Sequence, residues 1–354
     1  MNWNFVILSI VKIAIVVGVL EGMVAYAVLA ERKVSAWIQD RVGPNRAAPR
    51  FAKYIPVVGP ALTRLGFFQP LADGLKFLLK EDFTPAGVRK AYFWLAPAIA
   101  VIPSMLVIAV IPFGSQLGQQ KMVIADLNVG ILYTFGIVSL GVYGIVLAGY
   151  AANSKYPFLG GIRSSAQMIS YEISMGMSVI PVLLIVGSLN LSQIIGWQAQ
   201  HGWMVLYAPV SFAIFLIASF AETNRLPFDL PEAETELVGG YHTEYSSMKF
   251  ALFFLGEYSN MIASAGMMVT LFFGGWTLPF WGLDQPAGSL GMGLLQIVVF
   301  LVKMLLFVLL FIWVRWIFPR FRYDQLMDLG WRRFIPLALL NILVTAVVLW
   351  ARVE

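Results

Sequence analysis

The chain has 354 residues, of which 59% are hydrophobic and only 12% charged; soluble domains carry roughly a quarter charged residues, so water is not its main solvent. It has no cysteine, which excludes disulfides, cysteine-ligated zinc and iron–sulfur clusters within the chain. Its net charge of +5 comes from basic residues spread among connecting loops, a positive-inside pattern rather than a nucleic-acid signature.

About eight transmembrane spans of some 20 residues each are predicted. They cover residues 5–30, 93–113, 129–150, 165–187, 204–221, 250–273, 291–314 and 334–350. No cleavable signal precedes the first, which reads as a retained span. Twenty of the 24 Lys/Arg fall in segments 31–92, 151–164, 222–249 and 315–333. Positive-inside logic places these four loops in the cytoplasm and both termini on the periplasmic side. The chain therefore reads as an all-α integral membrane protein forming one polytopic domain over 1–354. The two histidines, His201 and His242, lie outside the apolar runs, which does not suit a bis-histidine haem.

The first loop opens with Glu31, Arg32, Lys33, Trp37, Gln39, Asp40 and Arg41 and turns at Gly43-Pro44-Asn45. A basic flank with an interfacial tryptophan fits the charge alone. Mixed charges beside an aromatic ring also suit a polar head group carried on an apolar tail. Further on, Leu71, Leu75, Leu78 and Leu79 share one helical face, while Asp73, Lys76 and Lys80 fall on others. A short amphipathic helix at the membrane surface is expected over 69–80.

The loop 222–249 holds six of the 19 acidic residues, among them Glu222, Glu232, Glu234 and Glu236. It is also rich in Phe, Leu, Pro and Tyr, so packing against the bundle competes with a solvated face. Packed neighbouring carboxylates do not all stay ionised and are suited to proton exchange. Within or near the spans stand Lys12, Glu21, Glu172, Glu257, Lys303 and Arg315. A charge at membrane depth costs at least about 2.5–3.5 kcal/mol, so each is a functional candidate. Lys12, Glu257 and Arg315 also fit snorkelling near span ends. Glu172 and the deeper Glu21 favour function.

In chain order, Ala30-Glu31-Arg32-Lys33 through Gly43-Pro44-Asn45-Arg46, Gln69-Pro70-Leu71-Ala72-Asp73-Gly74-Leu75-Lys76, Ala221-Glu222-Thr223-Asn224-Arg225, Pro227 through Tyr241, Glu244-Tyr245-Ser246 and Gly256-Glu257-Tyr258 resemble the H-subunit family of bacterial respiratory complex I, the NADH-quinone oxidoreductase. Its mitochondrial counterpart is NADH dehydrogenase subunit 1. The resemblance implies an eight-helix membrane subunit in a bacterial inner membrane. It would act without a redox centre of its own, contact other complex I subunits and phospholipids, and help enclose a channel for the quinone substrate. By position, Arg32, Trp37, Gln39, Arg41 and Phe228 would belong to that channel. Asp73, Lys76, Glu172, Glu222, Glu232, Glu234, Glu236, Glu257 and Arg315, with Arg32, would form a chain of charges leading into the membrane.

In the family only a few residues separate Gly-Pro-Asn-Arg from Gln-Pro. Here these motifs end at Arg46 and begin at Gln69, and the extra stretch near 49–67, with Lys53, Tyr54 and Pro56, is expected at the membrane surface. Membrane subunits of energy-converting hydrogenases share the Glu-Arg-Lys and Gly-Pro elements but resemble the second loop less. A stand-alone transporter would favour inverted repeats, which the sequence lacks. A structural anchor would gain nothing from buried acids.

Overall fold

The computed structural model describes residues 3–49, 58–118, 120–279 and 283–353. Lys53, Tyr54 and Pro56 lie outside them. The chain is a helical bundle in which β-structure is confined, among the described residues, to a two-stranded hairpin, β1 (Gln116–Leu117) and β2 (Gln120–Lys121). Its first helix, α1, runs Trp3–Ile38, followed by the short α2 (Val58–Leu65) and α3 (Gln69–Leu79). The central helices are α4 (Lys90–Val107), α5 (Gly130–Ala151), α6 (Lys155–Val186), α7 (Leu191–His201), α8 (Met204–Tyr207) and α9 (Pro209–Glu222). Then come α10 (Glu234–Leu237), α11 (Ser247–Phe272), α12 (Leu290–Ile317), α13 (Tyr323–Asp328) and α14 (Ile335–Val353).

Among the described residues, six helical stretches are long and apolar enough to cross a membrane: Val6–Ile38, Lys90–Val110, Gly130–Ala151, Lys155–Val186, Leu290–Ile317 and Tyr323–Arg352. The expected span at 204–221 is split at Ala208, where Pro209 starts the 14-residue α9. The expected span at 250–273 is the 26-residue α11, whose apolar run is diluted by Glu257, Ser259 and Asn260.

Local chemistry explains how these helices pack. Pro97 and Pro103 lie inside α4 and Pro181 inside α6. Such breaks are tolerated where neighbouring helices satisfy the freed backbone groups. A Cβ on Gly144 of α5 would stand 2.6 Å from the Ala100 nitrogen of α4, so only glycine permits that approach. The loop after α9 is pinned to α6 in the same way, since a Cβ on Gly160 of α6 would stand 2.9 Å from the Pro231 oxygen and 2.9 Å from the Tyr241 nitrogen. Gly240 has φ +58°, and a Cβ there would run into the Pro231 carbonyl oxygen. Both the space and the conformation demand glycine.

Two charged residues mark out the length of α1. Lys12 donates to the Lys121 and Val123 carbonyls at 2.8 and 3.2 Å. At the other end Arg32 pairs with Asp73 of α3 at 2.7 Å. Twenty residues of helix separate them, about 30 Å at 1.5 Å per residue, which matches a hydrocarbon core. Helix α3 begins with Pro70 in its first turn, as expected. It has no buried residue, and Leu75, Leu78 and Leu79 project outward. Its apolar stripe therefore has no cover among the described residues, as a surface helix requires.

Candidate functional site

The densest charged cluster lies where α1, α11, α12 and the loop after α9 converge. Because α1 stays helical to Ile38, Glu31 points inward while its neighbour Arg32 points out. Glu31 Oε2 accepts from Arg225 Nη1 at 2.8 Å and from the Tyr258 hydroxyl at 2.7 Å. Arg315 donates to its other oxygen. Arg225 Nε pairs with Glu257 Oε1 at 2.8 Å, and the guanidinium stacks over the Tyr258 ring at 4.1 Å. Arg225 is among the largest fully buried side chains. Two carboxylates against two guanidiniums balance, and that balance makes buried charge tolerable.

The loop after α9 is held by Gln167 of α6. Its buried amide nitrogen reaches the carbonyls of Ala221 at 2.8 Å and Phe228 at 2.7 Å. The Phe321 amide donates to Pro227 at 3.1 Å from the other side. The loop is therefore packed rather than a solvated face. Asp229 Oδ2 accepts from Arg320 at 2.9 Å. Burial raises the Asp229 carboxyl above its ordinary range even with Arg320 opposing it. Glu232 is raised well above its range by burial, reinforced by the charges of Glu257 and Asp229 and opposed by Arg315 and Arg225. His242 Nδ1 stands 3.7 Å from Glu232. Burial pulls this imidazole down to about 4, so it is neutral at pH 7 and does not neutralise Glu232.

Glu222, at the end of α9, is only 3% exposed. Neither of its carboxylate oxygens has a hydrogen-bond partner among the described residues. Glu172 of α6 is half-buried, close to Ser139 of α5 and near enough to Glu222 for their charges to oppose. Glu222, Glu232 and Glu257 line one small cavity. The structure thus brings together Glu172, Glu222, Glu232, Glu257 and Arg315.

Other expected residues stand apart from this group. Glu236 is half-exposed and paired with Arg163 at 2.8 Å. The Glu234 side chain lies outside the described residues. Asp73 binds Arg32 and accepts from Gln69 at 3.0 Å, while Lys76 is exposed on α3. Arg32, Trp37, Gln39 and Arg41 line the exposed end of α1, with Arg41 donating to Gln39. Phe228 is instead buried between the rings of Tyr171 and Phe321, 5.6 and 5.3 Å away.

The deep charges also resolve individually. Lys303 donates to the carbonyls of Phe273, Gly275 and Thr277 at 2.7, 3.1 and 2.5 Å. It caps the C-terminal end of α11, a favoured place for a cation. Glu21 is exposed on α1 and has no partner among the described residues. Glu31, Arg225 and Tyr258 stand in the sequence motifs but carried no expected site role, and they are three members of the central cluster. Their signal in the sequence was polarity beside apolar runs, at 30–31, 220–225 and 253–258.

The family model for NADH dehydrogenase matches residues 11–346. The chain is 50% identical to the second of the H subunits of NADH-quinone oxidoreductase in Geobacter sulfurreducens, over 96% of this chain and 95% of that one. It is 51% identical to NADH-quinone oxidoreductase subunit 8 of Rhodothermus marinus, over 90% of each. It is 48% identical to the first of the H subunits of NADH-quinone oxidoreductase in Cytophaga hutchinsonii, over 90% of each. Its length, its order of motifs and the charged cluster they assemble thus agree with these proteins, and the chain belongs to the NADH dehydrogenase family, among the H subunits of NADH-quinone oxidoreductase.

Proposed function

We propose that this chain is the quinone-facing membrane subunit of a proton-translocating NADH:quinone oxidoreductase in a bacterial inner membrane. It crosses eight times, with α9 and α11 completing the six strongly apolar stretches, and both termini are periplasmic. Arg32, Trp37, Gln39 and Arg41 border the quinone channel together with neighbouring subunits. Phe228 supports that channel from behind, through its packing on Tyr171 and Phe321. The electron carriers belong to other subunits, since this chain has no cysteine to hold a cluster.

One observation carries the coupling part of this reading. The helix that presents Arg32 to the outside presents Glu31 to the interior, where Arg225 joins it to Glu257 through contacts of 2.8 Å. A change of charge at the quinone end therefore acts on an ion-pair network whose next neighbours are Glu232 and Glu222. Coupled carboxylates shift protonation together. Glu172 and Glu222 then lead inward, and Arg315 sets the charge balance of Glu31.

The test is Glu232→Gln and Glu234→Gln, separately and together, in membranes containing the assembled complex. Glutamine keeps the shape and removes the titration. Loss of NADH oxidation with added quinone and of proton uptake, with hydrophilic-arm electron transfer retained, is the expected result. Unchanged rates in all three variants remove the acidic loop from proton handling.

A further inference from the structure

Glu222 separates two small cavities. The outer one, about 30 Å³, is lined by Glu232, Glu257, Asn224 and Tyr241. The inner one, about 20 Å³, is lined by Thr134, Ser264 and apolar side chains including Ala263. Among the described residues, Glu222 and Asn260 alone line both. Each volume exceeds the roughly 10–15 Å³ a water molecule requires, and each offers the two to four polar partners that water needs.

Asn260 is placed by the periodicity of α11. It follows Glu257 by three residues and precedes Ser264 by four, so the three side chains form one row along the helix. Its amide has no hydrogen-bond partner among the described residues. The Glu222 carboxylate lacks one too. Two donors and one acceptor on the amide, and two acceptor oxygens on the carboxylate, thus face the same pair of cavities. A buried carboxylate left open in this way, beside a half-buried amide, calls for water.

We propose that Asn260 is a positioning residue that holds one water on each side of Glu222, making a relay from Glu232 through the outer water to Glu222. The inference rests on the proton-coupling reading above and adds its route. In the step, the Glu232 carboxyl gives its proton to the outer water as that water gives one of its own to the Glu222 carboxylate. The water is regenerated, Glu232 becomes the carboxylate and Glu222 the acid, and no electron moves. The inner water, shared with the Thr134 and Ser264 hydroxyls, solvates Glu222 while it is ionised.

The test uses vesicles holding the assembled complex. Asn260→Leu keeps the branched shape, adds bulk and removes the donors and the acceptor, and Asn260→Ser restores a donor and an acceptor. Ala263→Val fills the inner cavity without removing a polar group. Asn260→Leu and Ala263→Val are expected to lower quinone-linked NADH oxidation and proton uptake about tenfold, short of the roughly 100-fold or more for loss of the proton-transfer group itself. Hydrophilic-arm electron transfer is retained, the solvent deuterium isotope effect on turnover rises, and Asn260→Ser recovers most of the rate. Wild-type turnover and isotope effect in either Asn260→Leu or Ala263→Val overturn the relay. If Asn260→Leu does not assemble, Ala263→Val decides alone. Glu222→Gln separates the two levels: inactive Glu222→Gln beside active Asn260→Leu rejects the relay and keeps the coupling role, while active Glu222→Gln rejects the coupling role itself.

Discussion

Glu31 and Arg225 meet at 2.8 Å although 194 residues separate them in the chain. Arg225 is the shared partner of two buried carboxylates, since its Nε holds Glu257 at 2.8 Å. Removing one side of a buried pair leaves the other charge uncompensated, at a cost of about 3–5 kcal/mol. Arg225→Met is therefore expected to reduce the assembled complex on native gels and to lower its thermal inactivation temperature. Arg315 is more exposed, at 25% against 2% for Arg225, so Arg315→Met destabilises less. Equal loss in the two variants contradicts the central position of Arg225.

Lys303 satisfies three backbone carbonyls past the end of α11. Lys303→Met keeps most of the apolar stem but strands those acceptors, at about 1–3 kcal/mol for each one left unsatisfied. Thermal inactivation is expected to fall by that margin with quinone-linked turnover at 25 °C near wild type. A selective loss of proton uptake instead makes Lys303 part of the proton route.

The Arg32–Asp73 pair is partly solvent-exposed, 47% and 24%, and such pairs contribute about 0.2–1 kcal/mol. Asp73→Asn is expected to change stability within that range. Its larger effect falls on the quinone: releasing α3 from α1 loosens one border of the proposed channel. The apparent KM for added quinone rises while the maximal rate changes little. An unchanged KM removes the α1–α3 contact from that border.

His242 gives a pH dependence with a defined sign. Its native pKa is about 4 against an ordinary 6.5, because burial disfavours the charged ring. Stability from the neutral ring is fully present above pH 6.5 and is lost as pH falls towards 4. The limit is about 3 kcal/mol at 1.36 kcal/mol per pH unit. Glu232, held above its ordinary range, runs the other way: its contribution is present at low pH and is lost as pH rises through its native pKa. His242→Phe suits the surrounding rings of Tyr241, Phe250 and Phe254. Inactivation temperatures between pH 7 and pH 5 should fall less in His242→Phe than in wild type. Parallel curves contradict the assignment.

Much of this arrangement was legible from periodicity and charge. The α3 helix follows from Pro70 and the leucine spacing, and the packed second loop from its Phe, Pro and Tyr content. What stayed hidden was the direction of single side chains at helix ends. Glu31 and Arg32 are adjacent, and only the continuation of α1 to Ile38 decides that Glu31 faces the core. Its partners Arg225 and Arg315 lie 194 and 284 residues away, beyond any local pattern. Phe228 carries an aromatic signal that fits a ligand wall or a core equally well, and packing between Tyr171 and Phe321 places it in the core. The break at Ala208 was hidden because residues 204–221 are apolar on both sides of it.

The most direct test of the account is Glu222→Gln, because this acid is buried, unpartnered among the described residues and has no evident structural duty. Protons taken up per NADH oxidised would be measured in vesicles, with assembly followed by hydrophilic-arm electron transfer. The account predicts a normally assembled complex whose quinone-linked oxidation and proton uptake both fall by about a hundredfold or more. Wild-type uptake in Glu222→Gln would contradict it, leaving the cluster around Arg225 as a structural joint.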